Sequence, residues 1–372
     1  MTSKSILLKH LSFILLVLTS TSACTIFNTE NQTNYCERVP EGEWTSLGLQ
    51  EEEDIFSIAV HPEDPETIYV GSLFNFSAGI PGKLFKTTDC GAHWDTLFVG
   101  RSVRTIQFEP GNPEVVYVLN STDVLKTADA GSTWSSIQNE IRLNWEIFSH
   151  TLVIHPEDPS ILYVGTVGFF GGRLYKSTNG GKSWKELKSG ISEDPNRDIF
   201  YQSIVSIALN QRQPNQILAG TAENGDLLLS NDGGKNWKKT NLVNTADAIQ
   251  DLEIYNQFNR TKVYAGLNYN GIYESDGNYQ SFKRMENRYL SDTTSIAEID
   301  INSELDKMAV LTTSSKGGKL LMYDFKNKTW NREEVPTSIN SSYYYNTIEL
   351  YNKNRLYIFF GTANGLYLKK EK

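Results

Sequence analysis

An eight-residue pattern, Ser/Thr-x-Asp/Asn-x-Gly-x-x-Trp, recurs four times in register along this 372-residue chain. The copies run from Thr87 to Trp94, Thr127 to Trp134, Ser177 to Trp184 and Ser230 to Trp237. The hydroxyl and the Asx side chain, two residues apart, both accept hydrogen bonds from turn amides. The glycine takes a positive φ that other side chains resist. The tryptophan then starts a new strand and buries a large apolar surface. The pattern is therefore the turn of a β-hairpin. Its acids, Asp89, Asp129 and Asp232, belong to turn chemistry rather than to catalysis. Two decayed copies follow: Ser275 to Phe282 carries Phe in the aromatic place, and Tyr323 to Trp330 has lost the acid.

Each turn is preceded by an alternating strand, a Pro-rich turn and a second strand ending near Gly. Ile55 to Val60 leads into His61-Pro-Glu-Asp-Pro65 and Thr67-Ile-Tyr-Val-Gly71, and residues 151–166 repeat this almost word for word. Period-two alternation bounded by Pro and Gly predicts antiparallel strands, four to each unit. The upstream halves number seven, and the last ends at Gly365-Leu-Tyr-Leu368. The aromatic markers after them fall at 94, 134, 184, 237, 282 and 330, one too few. Trp44-Thr-Ser-Leu47, ahead of the first repeat, supplies the missing strand. The predicted fold is all-β: a seven-bladed β-propeller of four-stranded blades, its ring closed by an N-terminal strand, which leaves no open sheet edge. Length alone would suggest two or three domains, but a closed repeat of this length is one unit.

The N-terminus reads as a targeting segment. Lys4 and Lys9 precede the apolar run Leu11 to Leu18, and small residues Thr19 to Ala23 lead to Cys24. A charged start, a short apolar core and a small-residue exit describe a secretory signal, and the apolar run is too short to span a bilayer. Thr21-Ser-Ala-Cys24 resembles a bacterial lipobox, in which the Cys is acylated. The expected organisation is a lipoprotein-type signal peptide at 1–23, a lipid-anchored tether at 24–40 and the propeller at 41–372. This implies export to a bacterial cell envelope, with the membrane engaged through the lipid alone; ordinary secretion after cleavage at Ala23 is the alternative. If Cys24 carries lipid, Cys36 and Cys90 remain as a pair in an oxidising compartment. Ring closure puts Cys36 just before the blade-seven outer strand and Cys90 in the blade-one turn, on one face of adjacent blades, so a disulfide is expected between them.

The repeats resemble the BNR, or Asp-box, superfamily from residue 40 onward. Its members include sialidases, xyloglucanase-type glycoside hydrolases, sortilin-type receptors and photosystem II assembly-factor-like proteins. The resemblance implies the propeller fold and leaves the activity open. Sialidases use six blades, an arginine triad and an Arg-Ile-Pro-like motif. Arg38-Val39-Pro40 resembles that motif but lies before the first blade. Xyloglucanases share the Pro-x-Asp-Pro turns and Tyr-Val-Gly-Thr strand ends, but they place one catalytic Asp on each of two propellers. The single-propeller assembly-factor type fits best on size and export.

In such a ring the Pro-rich turns and the Asp boxes share one face, and the variable loops share the other. That second face is rich in aromatics, and rigid scaffolds carry function on variable loops. The expected binding face comprises Phe74, Phe76, Arg104, Trp145, His150, Phe169, Phe170 and Tyr201, with Tyr343 beside them. Exposed aromatics stack on sugars or anchor protein partners. Asp54, Arg101, Arg104, His150, Asp247, Asp251 and Glu298 are candidates to line the central funnel. Asp54 with Asp251 is the pair named for glycoside hydrolysis, which needs two carboxyls across a pocket. The leading expectation is a monomeric, non-enzymatic propeller binding a protein or glycan partner, in the manner of an envelope assembly factor. A glycoside hydrolase is the alternative. A formal charge of −9 with no basic run argues against nucleic acid. No cofactor motif, metal-ligand spacing or nucleophile elbow occurs.

Overall fold

The computed structural model describes residues 35–49, 54–141, 143, 147–168, 171–188, 202–222, 225–240, 242, 247–257, 260–275, 277, 279, 281–291, 294–313, 318–335 and 347–371. Within them lie seven four-stranded antiparallel sheets. Blade one takes Ile55–His61, Asp64–Ser72, Gly82–Thr87 and Asp95–Gly100. The innermost strands of the six blades after it are Val103–Glu109, Ile147–Ile154, Ile204–Leu209, Ile249–Gln257, Ser295–Asn302 and Thr347–Asn352. Each innermost strand touches the next, and the last touches the first, so the ring is closed.

The fourth strand of blade seven is Trp44–Ser46, which pairs antiparallel with Gly365–Lys370. Its tryptophan bridges onward, donating from Nε1 to the Glu334 carbonyl beyond blade six at 2.8 Å. Cys36 and Cys90 form the expected disulfide, with a Cα separation of 5.5 Å. Cys36 and Val39, which fall inside the expected tether, are buried in one apolar cluster with Leu47, Ile55 and Leu368.

The box turns close as their chemistry requires. Thr127 Oγ1 donates to Asp129 Oδ1 at 2.6 Å and accepts from the Gly131 amide at 3.0 Å. Asp129 in turn accepts from the Thr133 amide at 2.8 Å. Thr87, Ser177 and Ser230 repeat the arrangement. In blade six, where the acid was expected to be lost, Asp324 stands one residue early and accepts from the Asn327 amide at 2.7 Å, which gives a shorter turn. Tyr and Lys side chains staple one blade to the next box. Tyr69 Oη and Lys86 Nζ both donate to the Ala130 carbonyl, at 2.6 and 2.8 Å. Tyr163 and Lys176 do the same at Gly233.

The glycine ending the second strand explains how blades approach so closely. A Cβ on Gly71, Gly165, Gly220, Gly266 or Gly361 would come within 2.3–2.8 Å of neighbouring atoms. The intruded residue is each time the first or near-first apolar residue of the next inner strand: Val103, Ile204, Ile249, Ile296 and Ile55. All five are fully buried.

Candidate functional site

The inner strands surround a central channel of about 810 Å³. A β-bulge enters the inner strand of each of the first six blades near its start, at the register shifts Ile55/Ser57, Val103/Thr105, Ser149/Thr151, Ile204/Ser206, Ile249/Asp251 and Ile296/Glu298. The residues left over are Phe56, Arg104, His150, Val205, Gln250 and Ala297, and every one lines the channel. Bulges re-aim side chains in this way next to sites. They bring Arg104 and His150 together on blades two and three, with the Arg104 guanidinium 5.5 Å from the Phe56 ring centre. His150 Nδ1 is shielded from solvent and has no hydrogen-bond partner. Burial, reinforced by the Arg104 charge, lowers the His150 pKa to about 4, so the ring is neutral.

The opposite wall is acidic. Asp251 and Glu253 come from blade five, Asp300 and Glu298 from blade six, and Glu349 from blade seven. Each lines the channel half-buried and is otherwise enclosed by protein. Burial therefore raises all five: Asp251 to about 6 and Asp300 to about 7, with the three glutamates well above the ordinary range. Mutual repulsion adds to burial at Glu253, Glu298, Asp300 and Glu349. Three of these groups also reach across a seam. Asp251 accepts from the Ile299 amide of blade six at 2.7 Å. Glu298 accepts from the Ile348 amide of blade seven at 3.1 Å and Asp300 from the Leu350 amide. These amides belong to the innermost edge, which has no further strand to pair with.

Of the funnel candidates, Arg104, His150, Asp251 and Glu298 line the channel. Asp54 stands just before blade one, where its backbone carbonyl accepts from Leu73 at 2.9 Å, outside the channel wall. The channel thus groups Asp251 with Glu298 rather than with Asp54. Arg101 is exposed between blades one and two. Asp247 is buried and holds the blade-five loop, accepting from the Tyr269 amide at 2.9 Å and from Asn270 at 3.0 Å. Glu253, Asp300 and Glu349 were missed by the sequence reading. Their signal was present: Asp251-x-Glu253 and Glu298-x-Asp300 place two acids on one face of consecutive inner strands.

Around the mouth, the blade-one loop carries Phe74 and Phe76, their ring centres 4.5 Å apart. Phe76 is 81% exposed, and Tyr269 on the equivalent loop of blade five is 55% exposed. Trp145, Phe169, Phe170, Tyr201, Tyr343 and Cys24 lie outside the described residues. Among the described residues no cluster of metal-ligating side chains occurs.

Box turns, glycine seams and ring closure together define the class: this chain is a seven-bladed β-propeller with Asp-box-like turns. Residues 82–226 match the sortilin-Vps10 family model. No curated protein matches by sequence. Among solved structures, YCF48 from Cyanidioschyzon merolae is similar with a TM-score of 0.60 at 18% identity, covering 88% of this chain and 98% of its own. A structure of YCF48 bound to D1 peptide gives 0.62 at 14% identity, with 90% and 98% covered. The GH74 xyloglucanase from Xanthomonas campestris gives 0.63 at 12% identity, covering 88% of this chain but 53% of the xyloglucanase. At such identities the likeness is one of fold.

Proposed function

We propose that this protein is an exported, membrane-tethered propeller that binds a segment of a protein partner on its loop face, at the mouth of the channel. The carrying observation is Phe76, which is 81% exposed on top of Phe74 while the opposite face is taken up by internal turn bonds. A large exposed aromatic on a rigid loop is a typical anchor for a partner. YCF48, a propeller of the same fold held with a D1 peptide, supports peptide binding as a use of this architecture. The assembly role follows the same resemblance. Export and tethering rest on the Lys4–Ala23 segment and Cys24.

The channel carboxyls favour a second reading, a glycoside hydrolase, because Asp251 and Asp300 titrate near 6 and 7. Against it, Asp251, Glu298 and Asp300 are engaged by amides of the neighbouring blade.

The test begins with cross-linking of the tethered protein in its native envelope, followed by the same capture with Phe76→Ala. Capture of a defined protein that weakens by tenfold or more with Phe76→Ala is expected of an anchor residue. Release of reducing ends from a polysaccharide panel, abolished by Asp251→Asn, would replace this reading with the hydrolase. Glycan binding without release would make the loop face a carbohydrate-recognition surface instead. Cys24→Ser should shift the protein from the membrane to the soluble fraction; unchanged membrane association would overturn the lipid anchor.

A further inference from the structure

The acidic wall carries a charge excess that its own surroundings do not neutralise. Five carboxyls stand on three consecutive inner strands, Ile249–Gln257, Ser295–Asn302 and Thr347–Asn352. The strands packed against them carry few charged groups, and the described ones are occupied elsewhere. Blade four contributes none: its two inner strands read Ile-Val-Ser-Ile-Ala-Leu and Ile-Leu-Ala-Gly-Thr. Lys262 pairs with Glu274 at 2.7 Å and Lys307 with Asp324 at 3.0 Å. Tyr255 donates to Asp306 and Tyr264 to Glu274. Tyr351 donates to the Pro62 carbonyl and Tyr357 to Glu37. On blade one, His61 Nδ1 accepts from the Glu63 amide at 3.2 Å. Among the described residues the remaining charge facing the channel is Arg104, with neutral His150 beside it on the far wall.

The same carboxyls also form the inner hydrogen bonds of three seams. Ser206 of blade four donates to Asp251 at 3.3 Å, Asp251 binds blade six, and Glu298 and Asp300 bind blade seven. Thr347 Oγ1 adds a bond to Glu298 at 3.3 Å. Elsewhere the corresponding contacts are neutral: Ser57 donates to the Val103 carbonyl at 3.2 Å, and Thr105 to the His150 carbonyl at 3.4 Å. Blades one to three are thus joined by hydroxyls, and blades five to seven by acids.

We propose that the acidic wall is a proton-dependent clasp, holding blades five, six and seven together while its carboxyls retain protons and loosening their seams as the protons leave. Fully ionised, five neighbouring carboxylates repel one another across the strands they join. The seam amides favour the ionised carboxylates, but burial outweighs them, with mutual repulsion adding at Glu298 and Asp300, and partial protonation relieves that repulsion. An unfolded chain releases these protons near the ordinary carboxyl value of about 4, whereas the folded wall holds them higher. The folded state then binds more protons than the unfolded one, so stability falls as pH rises. The window opens near the unfolded value and extends through about 6 for Asp251 and about 7 for Asp300. The glutamates carry it further.

Two measurements on the whole propeller test this. The first is the melting temperature from pH 5 to 9 for wild type, Glu253→Gln and Glu349→Gln, two isosteric changes that remove one charge each. Wild type should lose stability with rising pH. Each variant should lose less and gain on the order of 2 °C or more at pH 8 relative to wild type. The second is amide exchange of Ile299, Ile348 and Leu350 in wild type, read as protection relative to the intrinsic rate. Protection at these three should fall about tenfold per unit of proton-affinity difference between pH 6 and 8, while the amides of the hydroxyl-joined blades one and two hold theirs. A melting curve that does not fall with pH, variants as pH-sensitive as wild type, or unchanged protection at the three amides would overturn the clasp.

Discussion

Gly361, near the end of the second strand of blade seven, presses its bare α-carbon against Ile55, the first residue of blade one. A Cβ at Gly361 would lie 2.5 Å from Ile55 Cγ2 and 2.7 Å from Thr347 Cγ2. The last blade is therefore fitted to the first by the same glycine device that fits Gly71 to Val103 and Gly220 to Ile249.

Gly361→Ala should destabilise the propeller by about 1–3 kcal/mol through overpacking of this seam. Ile55→Ala should cost about 2–5 kcal/mol by opening a cavity. The double variant should cost less than the two together, because the new methyl enters space that Ile55 vacated. Denaturant unfolding of the four proteins checks this, and strict additivity would refute direct contact as the cause.

Thr127 is buried at the head of its box, and its hydroxyl serves the Asp129 and Gly131 amides and the Asp129 carboxylate. Thr127→Ala should cost about 1–2 kcal/mol. Phe76→Ala should leave the melting temperature unchanged, since that ring is almost wholly in solvent. Melting curves of both variants separate the structural face from the exposed one.

His150 should act against the carboxyls in acid. Its folded pKa, held down to about 4 by burial and Arg104, lies below the unfolded value of about 6.5. The unfolded state then binds the extra proton, so this residue's contribution is complete above pH 6.5 and is lost as pH falls toward 4. His150→Gln should make the pH dependence between 6.5 and 4 tilt further toward acid stability. Melting temperatures of wild type and variant across that range check the sign.

Cys36 and Cys90 close a loop spanning a sequence separation of 54. On the chain-entropy account, opening it should cost about 4 kcal/mol. The Cys36→Ser/Cys90→Ser variant should melt correspondingly lower, and thiol mapping of the wild-type propeller should find neither cysteine free.

The blades were legible in the sequence because a hairpin turn needs particular residues at fixed offsets. Trp44 could be assigned to blade seven because a closed ring needs a partner for Gly365–Lys370. The same logic placed Cys36 beside Cys90. The site was less legible because two local effects decide which inner-strand residues reach the channel. Bulges turn Arg104 and His150 inward, and no turn residue announces a bulge at those positions. The acids at 253, 300 and 349 look like ordinary solvated strand residues until the ring sets three such strands side by side. Asp54 stands one residue ahead of its strand and is not among the described residues that line the channel.

The disulfide also determines how the ring would carry a mechanical load. The closing strand Trp44–Ser46 is only three residues long and would unzip one rung at a time if pulled from its upstream end. Cys36 lies between that end and the strand, bonded covalently to the turn of blade one. A force arriving from the N-terminal side is diverted through Cys90 into the body of blade one, and the short strand that shuts the ring stays slack.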